Sequence, residues 1–150
     1  MKNEKKFEQQ LSRIKNLKLS SHKQFSTDDG SKDHVKIEID YMIEIDDFQI
    51  LFEVDSYNMA KVVCGEYVLL NLLYEWTKGK KPIFVIIHYY NKYNSERTVK
   101  SLNIIDKKLL NNEKKIPFVV FSEAEWNNFI EKINDVVDLK NKLINYDYEK

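Results

Sequence analysis

Over residues 35–45 apolar and polar side chains alternate strictly: Val35, Ile37, Ile39, Tyr41, Ile43 and Ile45 at odd positions, Lys36, Glu38, Asp40, Met42 and Glu44 between them. Period 2 predicts a strand with one buried face. The alternation resumes over 48–55, where Phe48, Ile50, Phe52 and Val54 alternate with Gln49, Leu51, Glu53 and Asp55. Asp46 and Asp47 between the runs are short enough for a hairpin turn, although the glycine such turns favour is missing. Pairing across that turn sets Ile43 against Ile50, Tyr41 against Phe52 and Ile39 against Val54 on the core side. On the other side it sets Met42 against Leu51, Asp40 against Glu53 and Glu38 against Asp55. A three-residue loop would slide apolar side chains opposite acidic ones and is disfavoured.

Elsewhere the period is helical or absent. Phe7, Leu11 and Ile14 recur at helical spacing and predict an amphipathic helix over 2–19. Residues 20–33 are polar and rich in turn formers, fitting either a mobile loop or an irregular first strand. A largely apolar helix is predicted over 57–77, with Val62, Leu69, Leu73 and Trp76 on its buried stripe; Gly79 stops it and Pro82 follows. The nearly continuous apolar run at 83–90 reads as a strand covered on both faces, and 116–121 as a second. Between them Val99, Leu102, Ile105 and Leu109 mark a helix over 96–112. Ser122 and Glu125 have capping-box spacing and open a last helix through Trp126, Phe129, Ile130, Ile133 and Val137, with residues 143–150 fraying.

The predicted order is therefore α-β-β-α-β-α-β-α. It implies an α/β fold of three layers, helices on both sides of a central mixed sheet, in one domain over 1–150. Three glycines and two prolines are too few for a many-turned all-β protein.

Composition narrows the function classes only slightly. Twenty-four basic and 24 acidic residues cancel, which argues against a protein that coats nucleic acid by net charge. One cysteine, Cys64, excludes an internal disulfide and a cysteine-based zinc site. No apolar stretch approaches a membrane span, so no membrane association and a cytoplasmic location are expected. No phosphate-binding glycine loop, nucleophile elbow or His-Glu-x-x-His pattern is present.

The hairpin carries the candidate chemistry. Like charges opposite one another on adjacent strands are destabilising, so Asp40 with Glu53 and Glu38 with Asp55 require an offset. A hard divalent cation provides one, and Lys36 on the same face provides another. The plain alternative is the solvent side of a sheet edge, where acids discourage aggregation. Met42 and Leu51 on the same side point to cover over part of that face. Glu66, on the flank of the next helix's apolar stripe, also needs a partner if buried, be it a cation or a basic side chain. His88 ends a buried strand and reads as a hydrogen-bonded core or rim histidine. His34 shares the parity of Lys36 and Glu38, and Tyr89, Tyr90 and Tyr93 suit either packing or base stacking.

These residues resemble the PD-(D/E)xK nuclease superfamily, in which an acid on one core strand is followed by an acidic-x-Lys motif on the next and then by a helix. Asp40, in DHVKIEIDYMIEI, looks like the first acid, and Glu53-Val54-Asp55, in ILFEVDSYN, like the second motif; the likeness covers residues 34–90. It implies a restriction-endonuclease-like fold and metal-dependent phosphodiester hydrolysis with Mg²⁺ or Mn²⁺. By that resemblance Asp40 and Glu53 are metal ligands and Asp55 is a ligand or orients water, with Glu38 a further ligand. Asp55 stands where the motif has lysine, and Lys36, or Lys61 on the next helix, would have to substitute. Nucleic acid, DNA rather than RNA, is the implied partner, with a homodimer or a protein partner also open. Positive charge for a strand would come from Lys78 to Lys81, Arg97, Lys100 and the N-terminal lysines, each also readable as a solvated surface. The competing expectation is a non-catalytic binding or immunity-type module with an acidic recognition face.

Overall fold

A computed structural model describes residues 2–27, 34–57, 59–90, 92–111 and 114–146. Its centre is a five-stranded sheet in chain order: β1 (Leu19–Ser26), β2 (Lys36–Ile45), β3 (Phe48–Asp55), β4 (Lys81–His88) and β5 (Phe118–Ser122). The first three strands run antiparallel and β3, β4 and β5 run parallel. A hairpin turn joins β2 to β3, whereas the parallel strands need crossovers, supplied by α2 (Ala60–Leu73) and α3 (Glu96–Lys108). α1 (Lys2–Ser12), α4 (Glu123–Ile130) and α5 (Val136–Ile144) cover the opposite face. The fold is thus α/β with helices on both sides of a mixed sheet, as the pattern predicts.

Each face has its own core. Phe7 and Leu11 of α1, Trp126 of α4 and Leu139 of α5 pack on Tyr41, Ile43, Phe52 and Val85. Val63, Tyr67 and Leu70 of α2 and Leu102 of α3 pack on Leu51, Phe84, Ile86 and Val120. β4 lies between parallel neighbours and contributes to both cores, which is why its sequence is apolar without alternation.

Several predicted elements are corrected. The first helix ends at Ser12, well short of 19; of the two readings of the polar stretch after it, the first strand holds, as β1, which pairs with β2. Residues 28–33 of that stretch, residue 112 of the predicted third helix and residues 147–150 of the predicted tail lie outside the described residues. On α2 the buried stripe is Ala60, Val63, Tyr67 and Leu70, while Val62 is exposed. A helix apolar on most of its circumference does not reveal its inward side by composition. The last helix is broken in two. The expected capping box at Ser122 and Glu125 starts α4, and a second cap, Asp135 accepting from the Asp138 N–H at 2.8 Å, starts α5.

The β2–β3 register is the expected one, Tyr41 on Phe52 and Ile43 on Ile50, around a two-residue turn. Asp46 takes φ 53° there, a left-handed conformation that aspartate tolerates better than most non-glycine residues. Expectation fails further along β2. Ile37 and Ile39 belong to the α2-side core, whereas Tyr41 and Ile43, of the same parity, belong to the α1-side core. β1 switches in step: Leu19 packs on the α1 side and Phe25 on the α2 side. The switch falls at the one opposed pair missing from the β1–β2 ladder, Asp40 and His22, where His22 takes φ 56°. The four carboxylates of the hairpin therefore do not share one face.

Candidate functional site

The β2–β3 ladder ends at Tyr41 and Phe52, and beyond it side chains replace backbone pairing. The Val54 N–H donates to Asp40 Oδ2 at 2.9 Å, and the Asp40 N–H donates to Glu53 Oε2 at 3.4 Å. Asp40 and Glu53 thereby stitch together the strands they also separate. Like Leu51, Glu53 projects toward α2, where it meets Glu66 from the second turn of that helix. Asp40, Glu53 and Glu66 form one cluster, drawn from two strands and a helix.

The electrostatics are strained. Burial raises the Glu53 carboxyl above the ordinary range, and the charges of Glu66 and Asp40 raise it further. Burial likewise raises Glu66 and Asp40. Glu53 and Glu66 sit side by side, and the pair keeps a proton above the ordinary carboxylate range. Among the described residues the buried Glu66 Oε2 has no hydrogen-bond partner. Among the described residues no lysine or arginine forms an ion pair with these three acids. A buried oxygen of that kind calls for a proton or a cation.

Asp55 has a different task. Its Oδ1 accepts from the Tyr57 N–H at 3.3 Å, and its Oδ2 from the Met59 N–H at 3.1 Å and from His88 Nδ1 at 2.6 Å. Burial alone would raise its pKa; the His88 bond and the two N–H donors outweigh that and hold it below the usual range. His88, wholly buried, contacts Thr98 Oγ1 of α3 through Nε2 at 3.0 Å, and Thr98 contacts the Tyr93 hydroxyl. Asp55 thus fixes the entry to α2, and with it Glu66, to the ends of β4 and α3. Position 55, where the resemblance expects a lysine, holds a structural carboxylate.

The remaining candidates lie apart. Glu38 is exposed and bound to His22 Nδ1 at 2.7 Å and Gln24 Nε2 at 3.2 Å. Those bonds keep its carboxyl ionised below the ordinary range. Lys36 is exposed at the start of β2, and Lys61 is exposed on the first turn of α2. The three tyrosines also part: Tyr89 is buried and donates to Gln10 Oε1 at 2.9 Å, Tyr93 stacks on His88, and Tyr90 is exposed. Glu66 stood out in the sequence only as an acid beside an apolar stripe. The Asp55–His88 pair left no sequence signal, because it depends on the parallel register that sets residue 55 beside residue 88.

As donors for a metal, Asp40, Glu53 and Glu66 are all hard oxygens, which suits Mg²⁺ or Mn²⁺. The orphan Glu66 oxygen and the proton kept by the Glu53–Glu66 pair fit a place where a cation would replace a proton. The described residues contain no group of three or more acids, histidines or cysteines already disposed to hold an ion. The cluster offers the donor chemistry without a preset coordination shell.

No family model, curated protein or solved structure matches this chain. Among the described residues no helix is long and apolar enough to cross a membrane. The functional reading therefore rests on the site alone.

Proposed function

We propose that this chain is a divalent-metal-dependent nuclease with a restriction-endonuclease-like fold, hydrolysing phosphodiester bonds from the Asp40–Glu53–Glu66 cluster. The observation that carries the reading is the meeting of Asp40 and Glu53 where β2 and β3 part, with Glu66 above them and, among the described residues, no lysine or arginine paired to any of the three. Two adjacent strands carrying Asp40 and Glu53, then a helix, follow in the order that the superfamily resemblance implies.

In this reading Asp40, Glu53 and Glu66 hold Mg²⁺ or Mn²⁺, and Glu38 and Lys36 take no part. The ion would polarise the phosphate and acidify a bound water. The chain itself supplies rigidity: the Val54 N–H fixes Asp40, and the Asp55–His88 pair anchors the helix that carries Glu66. On α1, across the sheet from α2, Lys2, Lys5 and Lys6 line a surface hollow with Glu123, which pairs with Lys6, and Asn3 of the same turn donates to Ser56 at 3.0 Å, just past the end of β3. DNA is the proposed substrate, ahead of RNA.

The test is cleavage of supercoiled plasmid, labelled single-stranded DNA and RNA with Mg²⁺ or Mn²⁺ at neutral pH. Cleavage should vanish with chelator and fall at least about 100-fold in Asp40→Asn and Glu53→Gln, while Glu38→Gln cleaves normally. Absence of cleavage together with absence of metal binding would sink the enzyme. An acidic recognition module would then be the better account.

A further inference from the structure

At the far end of the sheet from the carboxylates, where β4 and β5 begin, lies an open cleft of about 600 Å³. Its floor is apolar: Phe48 and Ile83 at the starts of β3 and β4, and Phe118 and Val119 at the start of β5. Trp76, from the short 3-10 turn after α2, and Tyr146, after α5, also line it. Lys80, Lys81, Lys114 and Lys115 line it as well, and among the described residues no acidic one does.

Several lysines lining one apolar hollow give it a positive potential that favours an anion there. Only part of their charge is answered from outside the cleft. Lys81 lies 3.2 Å from Asp47, Lys115 donates to the Asp106 carbonyl at 3.4 Å, and Lys114 sits over the Trp76 ring at 5.9 Å from its centre. Lys80 makes no ion pair among the described residues. The volume lies within the roughly 300–1,000 Å³ usual for small-molecule pockets, and apolar walls with a few charged groups are the usual composition.

We propose that this cleft is a binding site for a small organic anion: an aromatic or aliphatic body carrying a carboxylate, sulfonate or phosphate. The body lies on the Phe48–Phe118 floor against Trp76, and the anionic group meets Lys80 and Lys114. A single nucleic-acid strand fits less well. The carboxylates stand at the opposite ends of β3 and β4, some five residues or roughly 17 Å of strand away, and the cleft is a local hollow. The inference is independent of the nuclease reading.

The test uses anilinonaphthalene sulfonate as the anionic probe and N-phenylnaphthylamine as its uncharged analogue, titrated by fluorescence into the full chain. The sulfonate should bind saturably at one site, with the neutral dye at least about tenfold weaker. Lys80→Glu combined with Lys114→Glu should weaken the sulfonate at least about tenfold, with unchanged circular dichroism and urea midpoint. Ile144→Trp, an exposed cleft position that leaves every lysine in place, should weaken both dyes. Equal binding of the two dyes, or sulfonate affinity unmoved by the double charge reversal, overturns the proposal. Displacement of the sulfonate by a thymidine oligonucleotide overturns it in favour of a nucleic-acid strand.

Discussion

Glu53 of β3 and Glu66 of α2 face each other across the sheet–helix boundary; burial raises both carboxyls, and the charge of Glu66 raises Glu53 further. Two buried acids side by side hold a proton to higher pH, which keeps the charge low where, among the described residues, no lysine or arginine is paired to them. The unfolded chain surrenders that proton near the ordinary glutamate value of 4.5, whereas the folded chain keeps it to higher pH. Above 4.5 the folded state therefore binds more protons than the unfolded state, and stability falls as pH rises through this window. The slope per proton is bounded at about 1.4 kcal/mol per pH unit. Glu53→Gln keeps a donor for Glu66 and removes the titration. Urea midpoints measured from pH 5 to pH 8 should decline more steeply for the native chain than for Glu53→Gln; parallel profiles would count against the retained proton.

A cation entering this cluster must displace that proton. Metal affinity should then rise with pH, and calorimetric titration with Mn²⁺ in buffers of different ionisation enthalpy should show proton release. Saturating metal should also stabilise the fold, by about 2.7 kcal/mol at 100 times the dissociation constant. Asp40→Asn and Glu66→Gln should abolish both effects. Metal-induced stabilisation that survives in both variants would place the ion elsewhere.

The Asp55–His88 pair is a structural joint between β3, β4 and the start of α2. Removing one partner of a hydrogen bond to a charged group typically costs about 1.5–3 kcal/mol, and His88→Ala should fall in that range while the Tyr57 and Met59 N–H groups still serve Asp55. Chemical denaturation measures it. A loss below about 1 kcal/mol would mean that the pair contributes no more than an exposed ion pair. Because Asp55 sits below the usual carboxylate range, its contribution is present above 3.8 and disappears as pH falls through the folded-state value. That trend opposes the one from Glu53.

Asn71 of α2 ties the helix to the approach of β5. Its side chain donates to the Tyr67 carbonyl at 2.7 Å and accepts from the Ile116 N–H at 2.8 Å, all in the buried interior. Asn71→Leu preserves bulk but strands the Ile116 donor, so a loss of about 1–3 kcal/mol is expected. Hydrogen exchange at Ile116 should accelerate with it; unchanged protection there would show that another acceptor replaces the amide.

Short-range pattern determined much of this protein. Alternation marked β2 and β3, and because a register slip would turn every buried side chain outward, it also set Tyr41 on Phe52. The unbroken apolar run marked β4, and Ser122 with Glu125 marked the start of α4, because capping is a contact within one turn. Asp40 and Glu53 stood out for the same reason, as acids at opposed positions of one hairpin. Tertiary structure alone decided what neighbours in sequence cannot report. The face switch opposite His22 removed Glu38 from the cluster, since β1 must twist with β2 to keep both faces covered. The side of α2 turned inward decided that Glu66 would meet Glu53, and the parallel register of β3 and β4 gave Asp55 to His88. Local periodicity tells which residues seek burial, but the partner of a buried charge is settled only when distant segments pack.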